Sequence, residues 1–295
     1  MMKKIRKDPR PLSIRLWVFQ RERAPLFAVI IMGLSTAGIV YLFSDQSWSH
    51  FFGAATILAL YLLQIRTADE RKDFEHDNKY HPNRPVQRGI VSLGELAVIN
   101  KMAIIGQLVI YASFLQPQIF LVGLLSQGYA FLTSKEFFVR DWIRQHFYIY
   151  YISHYMQLVI LFFATTVIIQ PKDANPWVFV LTIMLAVITT EIGRKMLSEE
   201  ADTIDDTYSA QLGHTGSAIA LSLFSLGTTI MVYYFLSNFN GRTILMLLPS
   251  IVLTWVFISA YRYSRMANEQ NAGQVEKSSA LLYIASMVAI IAGLI

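Results

Sequence analysis

The sequence predicts an all-α integral membrane protein with nine transmembrane helices, and three observations carry that reading. Of the 295 residues, 54% are hydrophobic and 15% are charged, with a mean hydropathy of +0.43. A soluble domain carries about 25% charged residues. Nine segments meet or approach the roughly 20 apolar residues that a helix needs to cross a bilayer. Lys and Arg fall almost wholly on one side of those segments.

The nine segments are Pro25–Phe43, Phe52–Ala68, Leu96–Phe114, Ile119–Thr133, Ile149–Ile169, Trp177–Thr190, Ser217–Phe235, Ile244–Tyr261 and Ala280–Ile295. The fourth and sixth are short. With the N-terminus on the cytoplasmic side, the outer loops hold only Lys172 and Arg242 of the 25 Lys and Arg. The positive-inside rule therefore sets the orientation and puts the C-terminus on the opposite side. Residues 1–20 read as a cytoplasmic tail with an interfacial helix around Leu12 to Gln20. Residues 21–295 read as one membrane domain. The basic start is not followed by a short apolar stretch with a small-residue cleavage site, so no cleavable signal is expected.

The absence of cysteine excludes disulfides, thiolate chemistry and Cys-ligated zinc. The net charge of +5 and pI near 9.3 point to a lipid surface rather than to nucleic acid, because basic residues gather at the cytoplasmic leaflet.

The second span runs into the polar stretch QIRTADERKDFEHDNKYHPNRPVQRG. Asp69, Asp73 and Asp77 recur every four residues, which places them on one stripe of a helix, with Glu70 alongside. Carboxylates stacked at that spacing repel, and a cation relieves the repulsion. Magnesium takes oxygen ligands and commonly bridges a carboxylate to a substrate phosphate. The bland account is a solvated helix end, with Arg66, Arg71 and Lys72 paired to the acids. Downstream, Pro82 and Pro85 stop the helix, and Arg84 and Arg88 are placed to face the stripe and bind phosphate oxygens. Cytoplasmic arginines also satisfy the positive-inside rule without binding anything. Gly89 permits a tight turn into the next element.

This stretch resembles the UbiA superfamily of intramembrane prenyltransferases, which have nine transmembrane helices and two Asp-rich motifs at the cytoplasmic ends of helices two and six. The family's first motif has the form N-D-x-x-D-x-x-x-D, followed by N/K-R-P-L-x-x-G. Asp69 and Glu70 stand where the family has Asn-Asp, and Asp73 and Asp77 match its later aspartates. Asn83, Arg84, Pro85 and Gly89 match the following segment, with Val86 in place of Leu.

The sixth span ends in TTEIGRKMLSEEADTIDDTYSAQLG. The family's second motif resembles D-x-x-x-D with a following Arg-Lys, then a Thr and a Gly six residues on. Glu191, Arg194 and Lys195 resemble its front, and Thr207 and Gly213 its tail. Four residues after Glu191 the chain has Lys195 rather than an acid. The second magnesium site is therefore expected either from Glu191 with Glu199 or Glu200, or weakened by Lys195. Asp205 and Asp206 read as a solvated loop.

The resemblance implies Mg2+-dependent transfer of an isoprenyl group from an isoprenyl diphosphate to a lipophilic acceptor within the lipid bilayer. It makes Asp69, Asp73 and Asp77 catalytic. Asp69, Glu70, Asp73, Asp77, Glu191, Glu199 and Glu200 become the metal ligands. Arg66, Arg84, Arg88, Lys135, Arg194, Lys195 and Tyr208 become the substrate-binding residues.

Other polar residues have plain readings. Asn100 and Lys101 lie one turn into the third span, where lysine snorkels to the interface or binds diphosphate. A basic interfacial helix accounts for Arg140 and Arg144 after span four. His154 reads as a hydrogen-bonded core histidine beside Tyr150, Tyr151 and Tyr155. Two rivals stay open: a terpene cyclase with the same site, and a transporter. A transporter would place its acids at mid-membrane.

Overall fold

The computed structural model describes residues 8–172, 174–202, 207–239 and 242–295. Among them the chain is helical, with no strand, and it divides into two units.

The first unit comprises residues 1–37 and 46–170. A short helix α1 (Leu12–Arg23) meets α2 (Leu26–Tyr41) at a bend of 61°, at Ala24-Pro25. Pro25 lacks the N–H that would continue α1. The long α3 (Trp48–Lys72) carries the acidic ladder at its end and is followed by α4 (Phe74–Tyr80). Then come α5 (Leu93–Ser113), α6 (Pro117–Ser134), the short α7 (Arg140–Gln145) and α8 (Phe147–Ile169). The start of α5 is fixed by a capping box between Ser92 and Glu95. α3 packs on α5, and α6 packs on α8.

The second unit holds residues 38–45 and 171–295. Its helices are α9 (Pro176–Arg194), α10 (Tyr208–Asn238), α11 (Leu247–Arg265) and α12 (Glu269–Leu294), packed mutually. Phe43, Phe179, Phe235 and Phe239 form one aromatic cluster, with ring centroids 4.6 to 5.8 Å apart.

Among the described residues, seven helices are long and apolar enough to span a membrane, and the bent pair α1–α2 brings the number to eight. Eight of the nine expected spans are accounted for in this way. The segment that falls short is α6, which has 18 residues and carries Gln118, Ser126 and Gln127. Its polarity has a partner. Gln64 Nε2 donates to Gln127 Oε1 (2.9 Å), Gln127 Nε2 to Gln107 Oε1 (2.9 Å), and Gln107 Nε2 to Gln64 Oε1 (2.7 Å). This closed ring ties α3, α5 and α6 together. Each amide is satisfied, so a helix too polar by composition is matched to its neighbours.

Candidate functional site

The ladder on α3 keeps its register through the end of the helix. Asp73 lies just past it, at φ −98° and ψ 9°. Even so, Asp73 N donates to Asp69 O and Asp77 N to Asp73 O, each at 2.8 Å. Every acid of the motif nevertheless has its own cation. Asp69 Oδ1 is 3.1 Å from Lys72 Nζ, and Glu70 Oε1 accepts from Arg23 Nε at 2.5 Å. Asp73 Oδ1 accepts from Arg144 Nη2 at 2.9 Å, and Asp77 Oδ2 is 2.5 Å from Arg84 Nη1.

The four acids differ in access. The side chains of Asp69 and Asp73 are each 30% exposed, whereas Glu70 and Asp77 are buried at 0 and 1%. Burial pushes the Asp73 carboxyl above its ordinary range, with Lys72 and Arg144 opposing the shift. Glu70 Oε2 is buried without a hydrogen-bond partner. The Arg84 contact reaches Asp77 Oδ2 by distance, but its N–H does not point at that oxygen.

The loop that bears Arg84 and Arg88 is held from below. Val86 packs in a small core with Phe19, Ala24, Val91 and Leu96. Gly89 adopts φ +75°, a left-handed conformation that the motif's glycine supplies without strain. Asp8 N bonds Gly89 O at 3.1 Å, and Arg88 pairs with Glu22 at 2.5 Å. Arg15 anchors α1 by a double hydrogen bond to Glu95 and one to the Ile90 carbonyl. Arg66 Nε donates to the Arg23 carbonyl. Lys135 caps α6 and is exposed.

Three features of this region were not singled out in the sequence: Glu136, the backbone of residues 136–138, and the contacts of Lys72. Glu136, 2% exposed, accepts from Arg144 Nε at 2.7 Å and lies 3.1 Å from Arg140 Nε. It therefore aims Arg144 at Asp73. Glu136, Phe137 and Phe138 have φ of 49°, 54° and 61°, three consecutive non-glycine residues in the left-handed region, where strain concentrates at functional sites. The four-residue spacing of Glu136, Arg140 and Arg144 is the signal that marks them. Third, Lys72 Nζ lies 3.3 Å from both the Tyr150 hydroxyl and His154 Nε2. His154 Nδ1 is 2.7 Å from the Tyr150 carbonyl, so Nδ1 carries the proton and Nε2 accepts from Lys72.

The second acidic region is built differently. Glu191 is chelated by Arg194 of its own helix at 2.7 to 3.0 Å, with Lys195 at 4.0 Å. Glu199 and Glu200 instead line a cavity of about 410 Å³ with His214, Arg265, Asn268 and Glu269. Thr207 Oγ1 accepts from Ala210 N at 3.1 Å and caps α10, placing the buried Tyr208 at its first turn. Gly213 has φ +69° and ψ 169°, a break inside α10. Asp205 and Asp206 lie outside the described residues.

Among the described residues, neither set of predicted metal-binding acids brings three ligand atoms together. A magnesium ion still fits the first region chemically: Asp69 and Asp73 are oxygen donors open to water, and the orphan Glu70 Oε2 lies on the same segment.

The helical fold can be compared with known proteins. No family model and no curated protein matches this sequence. Solved structures do match. A UbiA homologue from Aeropyrum pernix K1, in its apo form, aligns at a TM-score of 0.69 and 15% identity, over 90% of this chain and 96% of the other. A digeranylgeranylglyceryl phosphate synthase aligns at 0.65 and 15%, over 95% and 99%. A UbiA homologue from Archaeoglobus fulgidus, bound to GPP and Mg2+, aligns at 0.55 and 16%, over 92% and 99%. The chain has a UbiA-type fold.

Proposed function

We propose that this chain is a divergent UbiA-superfamily prenyltransferase that moves an isoprenyl group from an isoprenyl diphosphate to a lipophilic acceptor within the membrane. One observation carries the reading. The Asp69, Asp73, Asp77 ladder with its Asn83-Arg84-Pro85 and Gly89 continuation ends α3 in a chain that shares its fold with UbiA homologues over nine-tenths of its length.

Asp69 and Asp73 would hold magnesium, with Glu70 and Asp77 beside them, and Glu191, Glu199 and Glu200 would serve a second ion. Bound there, magnesium supplies positive charge to the diphosphate leaving group. Arg84, Arg88 and Arg144 present guanidinium groups that pair with phosphate oxygens. Arg66, Lys135, Arg194, Lys195 and Tyr208 complete the expected substrate contacts. The ion pairs supply the binding step: each arginine exchanges a carboxylate for a phosphate oxygen. The allylic C–O bond then breaks, and its electron pair leaves with the diphosphate. Fixed charges lower that barrier because they need no reorganisation. Tyrosine and phenylalanine faces stabilise the allylic cation. The acceptor attacks it and loses a proton.

In this reading nine helices cross the membrane, with α6 admitted by its glutamine ring. The tail of residues 1–20 and both acidic regions face the cytoplasm, residues 21–295 form the catalytic domain, and the C-terminus lies opposite. Full-length Asp73→Ala in membranes should lose Mg2+-dependent diphosphate release from isoprenyl diphosphates of every chain length. Unchanged release would sink the mechanism. Product analysis without acceptor separates transfer from cyclisation.

A further inference from the structure

We infer that His76, Asp77 and His81 form a binding site for a divalent transition-metal ion of the zinc or cobalt kind, separate from Asp69 and Asp73. Among the described residues this is the one group of three or more His, Asp and Glu whose ligand atoms converge, all within 4.8 Å of one another. His76 Nδ1 lies 3.5 Å from Asp77 Oδ1.

The backbone assembles the three ligands locally. His76 and Asp77 belong to α4, and His81 caps its end, with His81 N bonded to Asp77 O at 2.8 Å. Pro82 follows and keeps the chain from continuing as helix. Asp77 is 1% exposed; its Oδ1 lies toward His76 Nδ1, and its Oδ2 is 2.5 Å from Arg84 Nη1 without accepting a hydrogen bond from it. His76 and His81 are partly open, so an ion can enter. Closing the group onto zinc, with ligand bonds of about 2.0–2.1 Å, brings the ligand atoms to about 3.3 Å apart, within reach of side-chain rotation.

The donor set decides the ion. Two imidazole nitrogens and one carboxylate suit zinc, cobalt or iron, whereas magnesium prefers oxygen. Asp77, expected with the magnesium ligands, thus sits in a nitrogen-rich neighbourhood that Asp69 and Asp73 lack. An ion there would clip α4 to the turn that carries Arg84. Without metal, His76 packs on Tyr80 and His81, with ring centroids at 4.8 and 5.9 Å; simple ring packing is the account the experiment must separate.

The test uses full-length, tag-free protein in detergent, stripped with chelator and titrated with Zn2+ or Co2+ in the presence of excess Mg2+. Metal analysis should find about one Zn2+ per chain, and Co2+ should give nitrogen-ligand absorption bands. His76→Ala and, separately, the milder His81→Asn should each weaken binding at least about tenfold, while Asp73→Ala should bind zinc as the natural chain does. No retained ion, or histidine variants that bind zinc as tightly as the natural chain, overturns the site. Loss of zinc in a folded Asp73→Ala overturns its separateness. Diphosphate release with Mg2+ alone is measured in parallel, so failure of the zinc site and failure of the prenyl-transfer reading give different results.

Discussion

The two acidic regions hold similar charge and use it in opposite ways. In the first, the partners of Glu70 and Asp73 come from elsewhere in the chain: Arg23 from α1 and Arg144 from α7. In the second, Glu191 is satisfied by Arg194 three residues away on the same helix, and Glu199 and Glu200 face a solvent-open cavity. Local pairs between exposed side chains contribute a few tenths of a kcal/mol and need no fold to form. Buried pairs between distant segments form only when the fold brings them together, and breaking one strands a charge. The lesson is that acid density does not identify a site; the origin of the partner does.

Substitutions should widen or collapse this contrast. The largest effect is expected from Glu70→Ala, which leaves Arg23 beside an empty buried position. It should cost about 3–5 kcal/mol, seen as a large drop in thermal unfolding temperature in detergent. Glu136→Gln comes next. It keeps the shape but removes the charge that two arginines share, at about 2–3 kcal/mol. Diphosphate release should fall with it, since Arg144 loses its aim at Asp73. A full-rate Glu136→Gln enzyme would show that Arg144 is not positioned for the reaction. In the second region, Gly213→Ala forces a side chain into a positive-φ, extended-ψ conformation that essentially only glycine adopts, and should cost about 1–3 kcal/mol, although no atom stands within 4 Å of the added Cβ. Arg194→Ala should shift stability by no more than about 0.5 kcal/mol. A shift as large as that of Glu70→Ala would erase the difference between the regions.

Much of this was legible in the chain. The nine apolar segments each fall on a helix, because hydropathy and length are properties of a contiguous stretch. The least apolar of them, α6, carries Gln127, whose polarity is answered by Gln64 and Gln107 in a way the sequence does not show. The motif glycines were legible too: Gly89 and Gly213 both have positive φ, which a sequence pattern can encode since it concerns a single residue's backbone. Glu136 was missed because its importance lies in Arg144 and Asp73, the latter 63 residues away. The approach of His76 and His81 to Asp77 was not legible, because spacing along a helix says nothing of where neighbouring rings point.

By itself, then, the sequence determined a helical membrane protein, the ends of most helices, and an acidic ladder followed by arginines. Each of these depends on neighbours within a few residues. The tertiary structure alone decided which carboxylate each arginine takes, which acids stay open to water, and which polar side chains cancel one another inside the bundle. Those outcomes depend on distances between segments remote in the chain, and a one-dimensional pattern carries no such distances.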